Sequence, residues 1–403
     1  MMLVTRMLLL LLACVSVPPE DEPEKTGRVS TSTVTDTPPT RPGDTSTDDT
    51  STDDTSTDDT STDDTSTDDT STSPPKTDPV WDLAPWLGLN ANAPLDVTTG
   101  ALADTVSDPT LLASSGAGWV RLNFMLGPYD SPEDPAWEAA FRTIVDGLTG
   151  QGLQVYGLIG AESVSSAAEV GSDAWLDDYA YNFVAIVDRF KDTVRVWESF
   201  NEPNNWVADS TPALSPERFS LLLERVYLET KHYNGHAGDP DWQVTLVSGP
   251  LFTHDLDNGA TYLSDTWWYG RNTGAWDWVH ANTGGYPLDG VGAHLYVAQG
   301  DTTPGPIAAG IEANLAAMQA VIDEEDPGKR LYLSEVGWSS DYVGEAGQAD
   351  ATGHALSVLR DDPRVALTAW FTVADWPGAA WGLRWDVATP KLGWESFVDE
   401  ASR

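Results

Sequence analysis

Two glutamates stand where short apolar runs end. Val194-Arg-Val-Trp-Glu-Ser-Phe-Asn-Glu-Pro-Asn204 reads as a buried strand rich in β-branched and aromatic residues, and Pro203 cannot continue a ladder, so the strand stops about where Glu202 appears. Much further on, Arg330-Leu-Tyr-Leu-Ser-Glu-Val-Gly-Trp338 repeats the pattern, with Glu335 at its end. Catalytic groups of barrel enzymes sit at such strand ends. Two carboxylates placed this way suggest a paired acid and nucleophile.

The elements that would position them alternate along the chain. Eight apolar strand candidates are read at 86–90, 119–123, 153–159, 194–200, 243–248, 290–296, 330–335 and 366–371, each separated by a longer amphipathic or mixed segment. Asp134-Pro135 and Ser215-Pro216 place a capping side chain before a first-turn proline. Apolar stripes follow each, Trp137, Phe141, Ile144, Val145 and Leu148 in one, Phe219, Leu222, Leu223, Val226 and Tyr227 in the other. The first helix, near 109–115, reads as short, and 391–398 reads as the last. Strand and helix alternating eight times predict an α/β fold, a (β/α)₈ TIM barrel. A doubly wound sheet is the rival, but no Gly-x-Gly-x-x-Gly turn follows the first strand.

Ahead of the barrel, 78–403, the chain has a different character. Arg6 and the Leu-rich run Met7–Ala13 read as a secretion signal, too short to span a bilayer as a helix. Leu11-Leu12-Ala13-Cys14 resembles the lipobox of bacterial lipoproteins, which implies cleavage before Cys14 and lipid on its thiol; a plain signal with an incidental cysteine is the alternative. The expected location is outside the cytoplasm, lipid-anchored at a bacterial cell surface or outer membrane, or else secreted. Residues 14–77 form an acidic linker with Thr-Ser-Thr-Asp-Asp repeated five times from Thr45 to Asp69. It cannot bury a core and suits a self-repelling tether. It lacks the Gly-containing spacing of calcium loops.

Of 63 acidic and 21 basic side chains, 16 and 5 precede Asp78, leaving the barrel a balance of −31. Nucleic acid and anionic polysaccharides are therefore poor partners. Cys14 is the only cysteine, so the chain forms no internal disulfide and no cysteine-based metal site. No cofactor or metal is expected, and the barrel is read as monomeric.

Trp197-Glu-Ser-Phe-Asn-Glu-Pro-Asn204 resembles the fourth-strand signature of clan A glycoside hydrolases, retaining (β/α)₈ glycosidases. Trp119-Val-Arg121, His294-Leu-Tyr296 and Ser334-Glu335 match further strands in order. The wording is similar to both the β-xylosidase/iduronidase family and endo-glucanases. The resemblance implies hydrolysis of a β-glycosidic bond in a neutral poly- or oligosaccharide by double displacement, with Glu202 as acid/base and Glu335 as nucleophile, roughly 5 Å apart.

It further implies that Asn201 donates to the sugar hydroxyl beside the anomeric carbon, or else caps its strand. Arg121 would orient the nucleophile, or serve only as a structural ion pair. Tyr296 would hydrogen-bond the nucleophile, and His294 would line the site or belong to the core. Glu198, on the same strand parity as Glu202, is expected to pair with Arg121 or Arg195 beneath the site. Asn90 and Asn92 could bind substrate hydroxyls, and Glu162 is a possible subsite contact. Indole stacks on sugar C–H faces, so Trp206, Trp370, Trp381 and above all Trp338 and Trp376 are candidate platforms, against core packing as the plain alternative. The rival from another class is a surface-tethered carbohydrate-binding lipoprotein on an inactive glycosidase scaffold.

Overall fold

The computed structural model describes residues 86–91, 93–208, 211–254 and 258–403. The leader, Cys14, the acidic repeat and Asn92 lie outside the described residues.

Nine parallel strands form one sheet: β1 (Leu87–Asn90), β2 (Trp119–Asn123), β3 (Gln154–Ile159), β4 (Val196–Ser199), β5 (Thr245–Ser248), β6 (Leu251–His254), β7 (Val291–Tyr296), β8 (Leu331–Val336) and β9 (Val365–Trp370). The hydrogen-bonded order is β5-β4-β3-β2-β1-β9-β8-β7-β6. Its two ends meet, because β5 and β6 share one barrel position and only Gly249 and Pro250 separate them. β5 pairs with β4, β6 pairs with β7, and the Ser248 amide donates to the Gly290 carbonyl at 3.0 Å beside a Val247–Gly290 bridge. The eight positions expected from sequence therefore close as an α/β barrel. The sequence reading ended its fifth strand at Ser248 and missed the half that resumes at Leu251 beyond the proline, whose nitrogen has no proton to give.

Strand parity divides the side chains between two compartments. Trp119, Tyr156, Val196, Val247 and Tyr332 point inward as a floor. Between strands and helices lies a second, larger core in which Phe124 packs on Phe141 and Trp197 at 4.9 and 5.0 Å. Gly157 permits this packing, since a Cβ there would lie 2.4 Å from the Trp197 ring. The helix Pro135–Gly150 starts where the Asp134 side chain accepts from the Ala136 amide, and it buries Trp137, Phe141, Ile144, Val145 and Leu148. At about 2 kcal/mol per large apolar side chain, that face contributes on the order of 10 kcal/mol before chain entropy. The helix Pro216–Lys231 is capped likewise by Ser215. The first crossover holds only Asp104–Ser107 and Pro109–Ala113, and Leu392–Ala401 is the last helix.

Candidate active site

The tip of β4 is a strained turn. Phe200 and Glu202 both have positive φ, 77° and 46°, which side chains other than glycine adopt at a cost of about 1–3 kcal/mol each. Several contacts hold it. The Phe200 amide donates to Ile159, its ring packs edge-on against Trp175 at 6.1 Å, and the Asn204 amide group exchanges two hydrogen bonds with the backbone of Phe252 on β6. The turn places Asn201 and Glu202 beyond the end of the strand, at the carboxyl ends of the barrel strands.

Beneath them Arg121 collects four acceptors. It donates to Glu198 Oε2 at 2.7 Å, Asn90 Oδ1 at 3.1 Å, Glu335 Oε1 at 2.7 Å and Asn201 Oδ1 at 2.8 Å. Burial opposes the guanidinium charge, but Glu198 and Glu335 outweigh it and raise the Arg121 pKa above its usual value. Glu198 is completely buried and also accepts from Tyr156 at 2.9 Å and Ser334 at 2.6 Å. It is thus a support beneath the site, paired with Arg121. Arg195 instead donates to backbone carbonyls of Lys191, Pro240, Asp241 and Gln243.

Glu335 and Glu202 are each 4 % exposed, but their partners differ. Tyr296 donates to Glu335 Oε2 at 2.5 Å, so one donor fixes each oxygen of that carboxylate. Glu202 has His294 Nδ1 at 2.7 Å from Oε1, and Asn205 Nδ2 donates to Oε2 at 2.7 Å. Burial pushes the Glu202 carboxyl up to about 7, against the opposing pull of Asn205 and Arg121. Burial pulls His294 down to about 4. Glu202 thus holds a proton more tightly than His294 does, and His294 Nε2 stands 3.5 Å from Glu335 Oε1.

One oxygen of Glu202, one of Glu335 and a ring nitrogen of His294 all lie within 4.8 Å of one another. Such a triad resembles a metal-ligand set, but the Arg121 charge sits 2.7 Å from the Glu335 oxygen and opposes a cation there. What the arrangement can do is hold one carboxyl protonated beside another that two donors orient.

The structure brings Glu202, Glu335, Arg121, Asn201, His294 and Tyr296 together, and it corrects other expectations. Trp338 is fully buried, stacked on Trp370 at 6.0 Å and donating to the Ala298 carbonyl, so it is core and offers no platform to a ligand. Trp370 is buried with it. Asn90 is spent on the protein, its nitrogen on Ser334 O at 2.6 Å and its oxygen on Arg121, which makes it a brace. Trp376 is half-buried against Phe371, and Trp381 lies edge-on to Tyr296 at 5.2 Å. The side chain of Trp206 lies outside the described residues. Sequence reasoning missed Asn205, Tyr156 and Ser334. Asn205 directly follows the quoted motif and Ser334 stands inside another, beside Glu335, so both could have been found there; Tyr156 carries no local signal.

No protein-family model matches the chain, and no curated protein does. Solved structures do. A family 5, subfamily 18 glycoside hydrolase from Streptomyces cattleya in complex with GlcNAc superposes with a TM-score of 0.58 at 16 % identity, covering 79 % of this chain and 79 % of that one. A broad-specificity endoglucanase of family 5, subfamily 4, from Clostridium longisporum gives 0.58 at 11 %, covering 79 % and 97 %. A family 39 glycoside hydrolase from Bacteroides cellulosilyticus gives 0.51 at 16 %, covering 79 % and 63 %. The chain has the fold of these glycoside hydrolases.

Proposed function

We propose that this chain is a retaining glycoside hydrolase acting on a β-linked neutral poly- or oligosaccharide. The observation that carries the reading is the pair of buried carboxyls, Glu202 and Glu335, with oxygens within 4.8 Å and opposite surroundings. Retaining enzymes hold their two carboxyl groups about 5–5.5 Å apart and inverting ones further, to admit a water.

Each group has a role that fits its partners. Glu335, oriented by Arg121 and Tyr296, attacks the anomeric carbon as the glycosidic C–O bond breaks, and the departing oxygen takes the proton of Glu202. The Glu202 carboxylate then takes a proton from water, whose oxygen attacks the same carbon and releases Glu335. Asn201, with its oxygen held by Arg121, turns its NH₂ towards the substrate's neighbouring hydroxyl, where charge develops. Trp376 supports a stacking role at the mouth. The Leu-rich leader, Cys14 and the acidic tether support action outside the cytoplasm, on a lipid anchor. The binding-only alternative would tolerate loss of a carboxylate, and both are present and partnered.

Proton NMR of the first-formed anomer across a panel of β-linked oligosaccharides tests this. The β product should appear first, and Glu335→Gln should lower kcat by more than ~10³-fold. Initial release of the α anomer, or turnover that survives Glu335→Gln, overturns the reading.

A further inference from the structure

Asn123 closes β2 two residues beyond Arg121, on the same inward side of the strand. Trp119 lies in the floor and Arg121 in the layer of the carboxylates, so Asn123 forms the next layer, at the mouth. Glu162, in the short helical turn Ala161–Ser163 after β3, meets it there. Asn123 Nδ2 donates to Glu162 Oε1 at 2.5 Å, and the Leu126 amide donates to the Glu162 carbonyl at 3.0 Å, tying the two loops together. The carboxylate lies over Gly160, where a Cβ would come within 2.6 Å of both its oxygens, so that glycine leaves it room. Asn123 Oδ1 is buried and has no hydrogen-bond partner. An unpaired buried acceptor is costly, and a ligand donor would satisfy it.

We propose that Asn123 and Glu162 form a sugar subsite beside the reaction centre that accepts two hydroxyl protons from adjacent carbons of one ring. One hydroxyl donates to Asn123 Oδ1 and the other to the Glu162 carboxylate. The unpaired Asn123 Oδ1 and the Glu162 carboxylate are both acceptors, so the pair takes donors, and the carboxylate repels a carboxylated or sulfated ring. The inference rests on the glycoside hydrolase reading, whose site it adjoins, and it names which part of the substrate is read.

Calorimetry on the Glu335→Gln protein with neutral β-glucan, mannan and xylan oligosaccharides tests it. Adding Glu162→Gln should weaken the tightest binder by about 10- to 100-fold, the range for a hydrogen bond to a charged group, and adding Asn123→Ala by about 2- to 10-fold, the range for a neutral one. A deoxy analogue lacking the hydroxyl that meets Glu162 should bind equally well with and without Glu162→Gln. Unchanged Kd in both variants, with melting temperatures also unchanged, removes the subsite and leaves the glycosidase standing. Tighter binding of a glucosamine-containing oligosaccharide that Glu162→Gln abolishes replaces the diol with an ammonium and overturns the assignment. If no oligosaccharide is bound or turned over by the native chain, both readings fall together.

Discussion

Glu202 is held where its charge is unwelcome, and that has a measurable cost. Its carboxyl rises from the ordinary 4.5 to about 7 because burial disfavours the anion. The folded chain thus binds this proton more tightly than the unfolded chain. The stability it contributes is complete below pH 4.5 and is lost as pH climbs through about 7, a change on the order of 3 kcal/mol. Glu202→Gln, which has no charge to bury, should melt above the native protein at pH 8 and close to it at pH 4, while kcat falls about 10²–10⁴-fold. Equal melting temperatures at both pH values would show that folding does not raise the Glu202 pKa. The same ionisation should appear as an alkaline limb near pH 7 in kcat/KM, where the acid loses its proton.

Among the elements, the loop after β9 carries Trp376 and Trp381 over the site and is anchored from behind. Lys391, fully buried just before the last helix, donates to Asp375 Oδ1 at 2.8 Å and Ser340 Oγ at 2.9 Å, and Asp375 also accepts from the Gly382 amide. Lys391→Met keeps the volume but leaves Asp375 without its cation. Breaking such a pair costs about 3–5 kcal/mol. A loss near that size by denaturant titration is expected, with a raised KM; a loss below ~1 kcal/mol would show that packing alone holds the loop.

This scale also shows what the residues announced in advance. Asp134-Pro135 and Ser215-Pro216 carry helix starts in their own chemistry, and Val194–Asn204 carries its strand and its stop, so both were legible. Trp338 was not, because a side chain just past a strand end can turn inward or outward, and only the position of Trp370 decides. Asn90 looked free for the same reason: its competitor Arg121 is adjacent in space but 31 residues away in sequence. The break at Gly249-Pro250 hid half a strand, since a proline reads as an end wherever it stands.

For the whole molecule the dominant fact is charge. The barrel segment's 47 acidic residues face 16 basic ones, so even if every cation were paired, about 31 carboxylates would remain without an opposite charge. Exposed pairs such as Arg218–Asp173 contribute about 0–1 kcal/mol and weaken in salt, whereas repulsion among the unpaired carboxylates is screened by the same salt. Repulsion outnumbers attraction here. Raising NaCl from about 20 mM to about 500 mM, which shortens the Debye length several-fold, should therefore raise Tm at pH 7. A Tm that falls with salt would show that the ion pairs prevail.

Arg121 reaches from β2 to side chains of β1, β4 and β8 and of the β4 tip, all through the barrel's interior. Glu335 and Asn201, the neighbour of Glu202, are therefore tied across the cylinder by one side chain, whatever the length of the segments that join its strands. Under the proposed mechanism those segments can vary in length and the stereochemical outcome be kept, provided that the contacts of the β4 tip with Trp175 and Phe252 remain. The barrel is a chassis on which new substrate preferences can be mounted by grafting loops, provided that the five side chains of this inner brace, Arg121 and its four partners, are carried over as one unit.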